Sequence, residues 1–348
     1  MYYEYTISDM IRELNRNKKL QTHFKINNIL TEQQFYEYFS RYNEEIFNNL
    51  VNSMCSKIYK SNRNPIKTYL VDATPVAVNI NTIKKYITGE DLKKLNLKWG
   101  FSKTKKHYIG FKVTVVLDKD TLTPVSIRID AGAPHDSVIY EEILKELKSR
   151  RLLGKRTLLY FDRGYYSLEN YKIGINRYKI VPVIAPKYDN TIQKIKDYLS
   201  YPLEIYKNKQ LNELKKQYII LKTILIRQIE KWDDLKPVRG LIEDFFKVAK
   251  DAFGLGKFHK YTTKSVSKNI YLCILLTTLT IQQGYNTKTK MQQLAEGNIE
   301  LRPTIKHRRK NKNNKTEKNN KTSVPKTTKQ KSILDYQKDQ QKTLFNYA

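Results

Sequence analysis

Residues 158–167, Leu-Leu-Tyr-Phe-Asp-Arg-Gly-Tyr-Tyr-Ser, constrain the fold of this chain more than any other stretch. Apolar and aromatic residues run unbroken to Asp162, the pattern of a buried strand that delivers one carboxylate to the mouth of a sheet. An ionised carboxylate buried there is costly unless a cation or hydrogen bonds receive it. Gly164 permits a sharp turn, or the close approach of another backbone or of a phosphate. A plainer role exists for Asp162, as the cap of a helix starting near Ser167 or simply as the end of the strand. Against it stands a second stretch of the same form. Residues 69–75, Tyr-Leu-Val-Asp-Ala-Thr-Pro, are an apolar strand reaching Asp72, with Pro75 expected to stop the ladder soon after.

Between these two aspartates the pattern is that of a mixed sheet. Residues 109–117 and 123–130 are β-branched runs joined through Asp118-Lys119-Asp120-Thr121, which predicts an antiparallel hairpin. Residues 136–150 carry Ile139, Ile143, Leu144 and Leu147 at helical spacing. After the strand ending at Asp162 come a short helix from Ser167 and a strand over 178–184. The order strand, hairpin, helix, strand, helix, strand describes an α/β fold with a mixed sheet flanked by helices. In it the two aspartate-bearing strands can lie side by side.

Flanking this core, residues 1–60 have helical periodicity, and Thr31-Glu-Gln-Gln has the form of a capped helix start. That region is either a DNA-reading module or packing for the larger domain. Residues 187–232 read as an insertion of helical character within a domain spanning 66–290. Pro237 is expected to open a helix that carries Arg239, Glu243 and Lys250 and closes at Gly254 or Gly256. Arg239 and Glu243 are four apart and share a face, with Lys250 two turns further along. A buried helix is expected over 270–283, its apolar run interrupted by threonines and too short to span a bilayer.

Charge then narrows the partner. With 65 Lys+Arg against 34 Asp+Glu the chain carries a formal +31, which implies a polyanion, nucleic acid before a membrane surface. Residues 301–348 hold 14 Lys+Arg and 3 Asp+Glu, a net +11 in a stretch poor in apolar residues. Such a tail is expected to be disordered alone and to bind the DNA backbone without sequence preference. A membrane-surface protein would need a basic amphipathic helix beside bulky apolar groups, which the tail lacks. Two cysteines, Cys55 and Cys273, make neither a disulfide framework nor a thiolate zinc site, and the N-terminus lacks the regions of a signal peptide. A reducing, cytoplasmic setting is expected.

Asp72, Asp162 and Glu243 are three carboxylates that a compact fold can gather. Together they would repel unless a divalent metal neutralised them. Oxygen ligands without His or Cys select a hard ion, Mg²⁺ or Mn²⁺. Two such ions about 3.5–4 Å apart can activate an attacking water or 3′-hydroxyl and stabilise the leaving oxygen of a phosphodiester. Arg239 and Lys250, on the glutamate's face, would then meet the flanking phosphates.

The motifs V-D-A-T-P at Asp72, F-D-R-G-Y at Asp162 and Arg239-x3-Glu243-x6-Lys250 resemble the DDE transposases of prokaryotic insertion sequences, in the group with a Tyr-Arg-Glu-Lys signature. The resemblance runs from about residue 69 to 260 and includes Tyr-Ile-Gly-Phe-Lys at 108–112 and Gly-Ala-Pro-His-Asp-Ser at 132–137. It implies an RNase H-like catalytic domain, binding of terminal inverted repeats, cutting at the element ends and Mg²⁺-dependent strand transfer into target DNA, with a dimer on the DNA. The signature tyrosine would fall three residues before Arg239, where this sequence has Lys236. Lys236 or the nearby Trp232 would take its DNA contact, Trp232 by stacking on an unpaired base, although a tryptophan is more often core.

Other residues have plainer roles. Asp136 is expected to cap its helix with His135 in the preceding loop, and Lys112 to be solvated. Arg163 either pairs with the adjacent carboxylate or meets phosphate. Asp118, Asp130, Glu141 and Glu142 are expected to be structural or solvent-facing. Two rival functions remain, a nuclease on the same fold that cuts without joining, and a DNA-binding derivative without catalysis.

Overall fold

The computed structural model describes residues 7–60, 67–78, 90, 94–95, 97–102, 105–185, 191–200, 209–256 and 262–297. The expected basic tail at 301–348 lies outside them. Among the described residues, helices α1 (Ile7–Arg16), α2 (Lys18–Phe24), α3 (Glu32–Arg41) and α4 (Glu44–Lys60) come first. Thr31 caps α3 in a reciprocal box with Gln34, as the sequence indicates. Val51 of α4 is buried in the main core, and α4 packs against a sheet strand and a late helix. Lys268 adds a tie, its Nζ donating to the Phe39 carbonyl at 2.6 Å.

The sheet contains β1 (Thr68–Ala77), β2 (Lys98–Ser102), β3 (Lys106–Asp118), β4 (Pro124–Ala131), β5 (Leu158–Phe161) and β6 (Val181–Ile184). Its order is β2-β3-β1-β5-β6, with β4 also pairing β3. β1, β5 and β6 run parallel, while β3 is antiparallel to β1, β2 and β4. β5 and β6 are buried at every position, which is why their sequences are uninterrupted apolar runs rather than alternations. The hairpin over β3 and β4 is as expected, and its turn is fixed by Asp118, whose Oδ1 accepts from the Thr121 N–H and hydroxyl at 2.8 Å each.

Helices α5 (Asp136–Ser149), α6 (Leu168–Ile173), α7 (Thr191–Tyr198), α8 (Lys209–Glu230), α9 (Trp232–Asp251), α10 (Thr263–Gln282) and α11 (Lys288–Ala295) complete the described elements. α9 packs on β1 and α8 on β6. Among the described residues no helix is long and apolar enough to cross a membrane.

Several boundaries differ from the sequence reading. Pro75 does not end β1, which continues to Ala77. Odd-numbered β1 groups face β5, as the Lys67 carbonyl accepting from Leu158 N–H shows, and β5 pairing stops at Val71–Phe161. The N–H that proline lacks therefore falls where, among the described residues, no partner strand remains. Pro237 does not open its helix, because α9 begins at Trp232, with only Lys231 between it and the end of α8. The buried helix α10 starts at Thr263, capped by Thr262, seven residues before its apolar run. β6 starts at Val181, since residues 174–178 form a π-helical turn instead of strand.

Candidate active site

The parallel pairing of β1 and β5 ends at Val71 and Phe161, so the next residue on each of two adjacent strands is an aspartate. Asp72 continues along β1, and Asp162 leads into a single 3₁₀ turn over Arg163–Tyr165. The Asp162 side chain makes no capping hydrogen bond, so the plainer capping role is not realised. α9, lying against β1, brings Glu243 to the same place from outside the sheet.

One guanidinium joins the three acids. Arg239 Nη2 lies 3.2 Å from Asp162 Oδ1 and 4.0 Å from Asp72 Oδ2, while its Nη1 lies 2.7 Å from Glu243 Oε1. The side chains grade outward, Asp72 being 18% exposed, Asp162 44% and Glu243 54%. Burial pushes the Asp72 carboxyl up to about 7, and the Asp162 and Glu243 carboxylates add to the rise. The Ala73 N–H, 2.8 Å from Asp72 Oδ1, and Arg239 oppose it. Lys250 lies near enough to feel Asp72, and burial followed by the charge of Lys105 holds its ammonium below the usual lysine range.

Among the described residues, no three acid, His or Cys side chains stand close enough to hold an ion as placed. The group that gathers the carboxylates is Arg239. The donor set still suits a hard divalent cation. It offers only oxygens, on three carboxylates around one positive charge, with ionisation of the innermost suppressed by burial and by its neighbours.

The remaining sequence candidates are spread along α9. Lys236 is exposed and paired with Asp233 at 2.6 Å. Trp232, the first residue of α9, is partly buried against the core. Arg163 is exposed. The competing acids are taken up in ion pairs or a turn, with Asp130 and Glu142 on Arg128, Glu141 on Arg177 and Lys145, and Asp118 in its hairpin.

Beneath the acids lies a polar layer that sequence reasoning missed. Lys112 is 12% exposed rather than solvated, its Nζ 2.6 Å from Asp136 Oδ1 and donating to the Pro134 carbonyl at 2.6 Å. Asp136 is free for this pair because His135, not Asp136, is the cap of α5, its Nδ1 accepting from Ser137 N–H. Gly164 makes room for that carboxylate, since a Cβ there would lie 2.3 Å from Asp136 Oδ2. Tyr165 is buried beside it, and burial, then Asp136 and Asp72, hold its proton on. The signal in sequence was the pair of short motifs at 108–112 and 132–137, which carry both ends of the ion pair.

A family model described as Transposase DDE domain matches residues 63–279. No curated protein and no solved structure matches the chain.

Proposed function

This chain belongs to the transposase DDE-domain family, and from that premise we propose that it binds the terminal inverted repeats of an insertion sequence, cuts at the element ends and joins the 3′ ends to target DNA. The observation that carries this reading is the convergence of Asp72, Asp162 and Glu243 on Arg239, from three elements inside the matched region. A sheet with an antiparallel hairpin on one side of β1 and parallel strands on the other, in the order β4-β3-β1-β5-β6, supports an RNase H-like fold for it.

In this reading the three carboxylates hold two Mg²⁺ or Mn²⁺ ions. Bound there, the ions supply an activated water or 3′-hydroxyl and a countercharge for the leaving oxygen. Asp72, the innermost, and Asp162 sit on adjacent strands and fix the floor of the site. Glu243, on a helix, closes it from the outer side. Arg239 and Lys250 share that helix face and hold the phosphates flanking the scissile bond, Arg239 by its paired N–H groups. Lys236 and Trp232 meet DNA further along α9, in place of the signature tyrosine. The formal +31 draws the polyanionic substrate, and two copies hold the two ends together at the nucleoid.

The test is cleavage and joining on a duplex that carries the inverted repeats flanking the coding sequence. Wild type should release and join 3′ ends only with Mg²⁺ or Mn²⁺, and Asp162→Asn should bind the same DNA but do neither. Cutting without joining would convert the reading to a nuclease. Equal DNA binding by both proteins without cutting by either would leave a non-catalytic DNA-binding derivative.

A further inference from the structure

Two large aromatic side chains are left in solvent at the edge of the sheet. Trp99 is 70% and Phe101 55% exposed, and they stand two residues apart on β2, hence on one face. The opposite face is packed, because a Cβ on the intervening Gly100 would lie 2.8 Å from the Tyr108 ring and 3.0 Å from Ala133. Core packing therefore accounts for Gly100 and Tyr108 but not for the two rings. The Phe101 ring contacts His107 across the hairpin, with centroids 5.1 Å apart. Lys98 and Lys106 lie on the opposite face of the same hairpin, by its register, and Lys105 directly precedes β3; all three are exposed.

The hairpin is held in fixed relation to the acid cluster. Gly132, at φ +76°, lies so close under β2 that a Cβ there would be 2.7 Å from the Trp99 carbonyl, and its loop leads directly into α5 and Asp136. On the other side Lys105 Nζ would lie 3.9 Å from a Cβ on Gly256, just beyond the helix of Glu243 and Lys250.

We infer that the β2–β3 hairpin is a stacking platform for unpaired nucleotides of the DNA substrate, with Trp99 and Phe101 as the rings, and with Lys105 before β3 and the lysines of the reverse face supplying positive charge for the phosphates. Exposed aromatics interleaved with lysines match single-stranded nucleic acid, whose bases stack on any flat ring while its backbone needs cations. A second copy of this chain is the poorer occupant. Lysines on an edge strand disfavour strand pairing, and both copies carry the same strong positive charge. The inference rests on the DNA-acting reading above and adds to it the form of DNA and where that DNA sits.

The test compares binding of a blunt duplex with the same duplex bearing a short single-stranded 3′ overhang, by fluorescence anisotropy. Wild type should prefer the overhang, and W99A/F101A should lose that preference, by roughly 5- to 150-fold per stacked ring. Blunt-duplex binding should change less than about 2-fold, since the lysines responsible for backbone contacts remain. The chain has two tryptophans, and the part of the emission that is lost in W99F should be quenched by the overhang and not by the blunt duplex. An overhang preference that survives W99A/F101A, or a double variant that changes only the oligomeric state, would overturn the inference while leaving the DNA-acting reading intact. Failure of wild type to bind either DNA would remove both.

Discussion

Gly164→Ala should destabilise the protein through one identifiable clash. The new Cβ would fall 2.3 Å from Asp136 Oδ2, 3.1 Å from its Cγ and 3.3 Å from its Cβ, so the carboxylate has to move by roughly an ångström to reach ordinary van der Waals contact. It is not free to do so. Its other oxygen lies 2.6 Å from Lys112 Nζ, and that lysine is itself 12% exposed and fixed on the Pro134 carbonyl. Either the ion pair opens or the first turn of α5 shifts, and overpacking of this kind costs about 1–3 kcal/mol. Urea unfolding followed by circular dichroism measures the loss. The mechanism is isolated by repeating Gly164→Ala in an Asp136→Ala background, where most of the clash is gone. The cost there should fall by at least about 1 kcal/mol, a coupling expected of residues in contact. An equal cost in both backgrounds would refute the clash and point to the backbone conformation of the turn instead.

Three further outcomes are expected. In chelator, wild-type stability should fall as pH rises from about 4 through about 7, because unfolded Asp72 ionises near its ordinary pKa while burial keeps the folded carboxyl protonated up to about 7. That rise from 3.8 corresponds to at most about 4 kcal/mol, and Asp72→Asn should flatten the profile and be the more stable protein at pH 8. Cys273 should resist alkylation in the native protein, as burial pushes its thiol up to about 12 and it donates to the Phe253 carbonyl at 3.1 Å. In a Cys55→Ser background its labelling rate should follow unfolding; fast native labelling would contradict this. Deleting residues 301–348, with their net +11, should weaken binding of all DNA sequences alike and reduce the salt dependence. Loss confined to one sequence, measured by anisotropy over a salt series, would show that the tail reads bases.

What could be read from sequence was whatever depends on local pattern. The adjacency of Asp72 and Asp162 followed from two apolar runs that each stop at an acid, since buried parallel strands advertise themselves as uninterrupted hydrophobic stretches. The shared face of Arg239 and Glu243 followed from helical spacing and holds wherever the helix begins. What could not be read depends on partners distant in sequence. The tolerance of β1 for Pro75 rests on which side of the strand β5 vacates. The Lys112–Asp136 pair needs the trajectory of β3 past the start of α5. His135 as cap escaped because the residue types that favour that position pointed to the aspartate beside it. The strand β2 was missed altogether, as Lys-Trp-Gly-Phe-Ser puts its large rings on the face turned to solvent, the reverse of a strand's usual burial. Arg239 as the hub of the three acids was legible only as a neighbour of one of them.

The central claim is that Asp72, Asp162 and Glu243 form one site for a divalent ion on DNA-bound protein. Its most direct measurement is Mn²⁺ uptake by the protein–DNA complex, followed by electron paramagnetic resonance with Mg²⁺ as competitor. Wild type should take up Mn²⁺, and Asp72→Asn, Asp162→Asn and Glu243→Gln should each weaken that uptake while leaving DNA binding in place. Uptake that is unchanged in all three variants would mean that Arg239 gathers these carboxylates for structure alone.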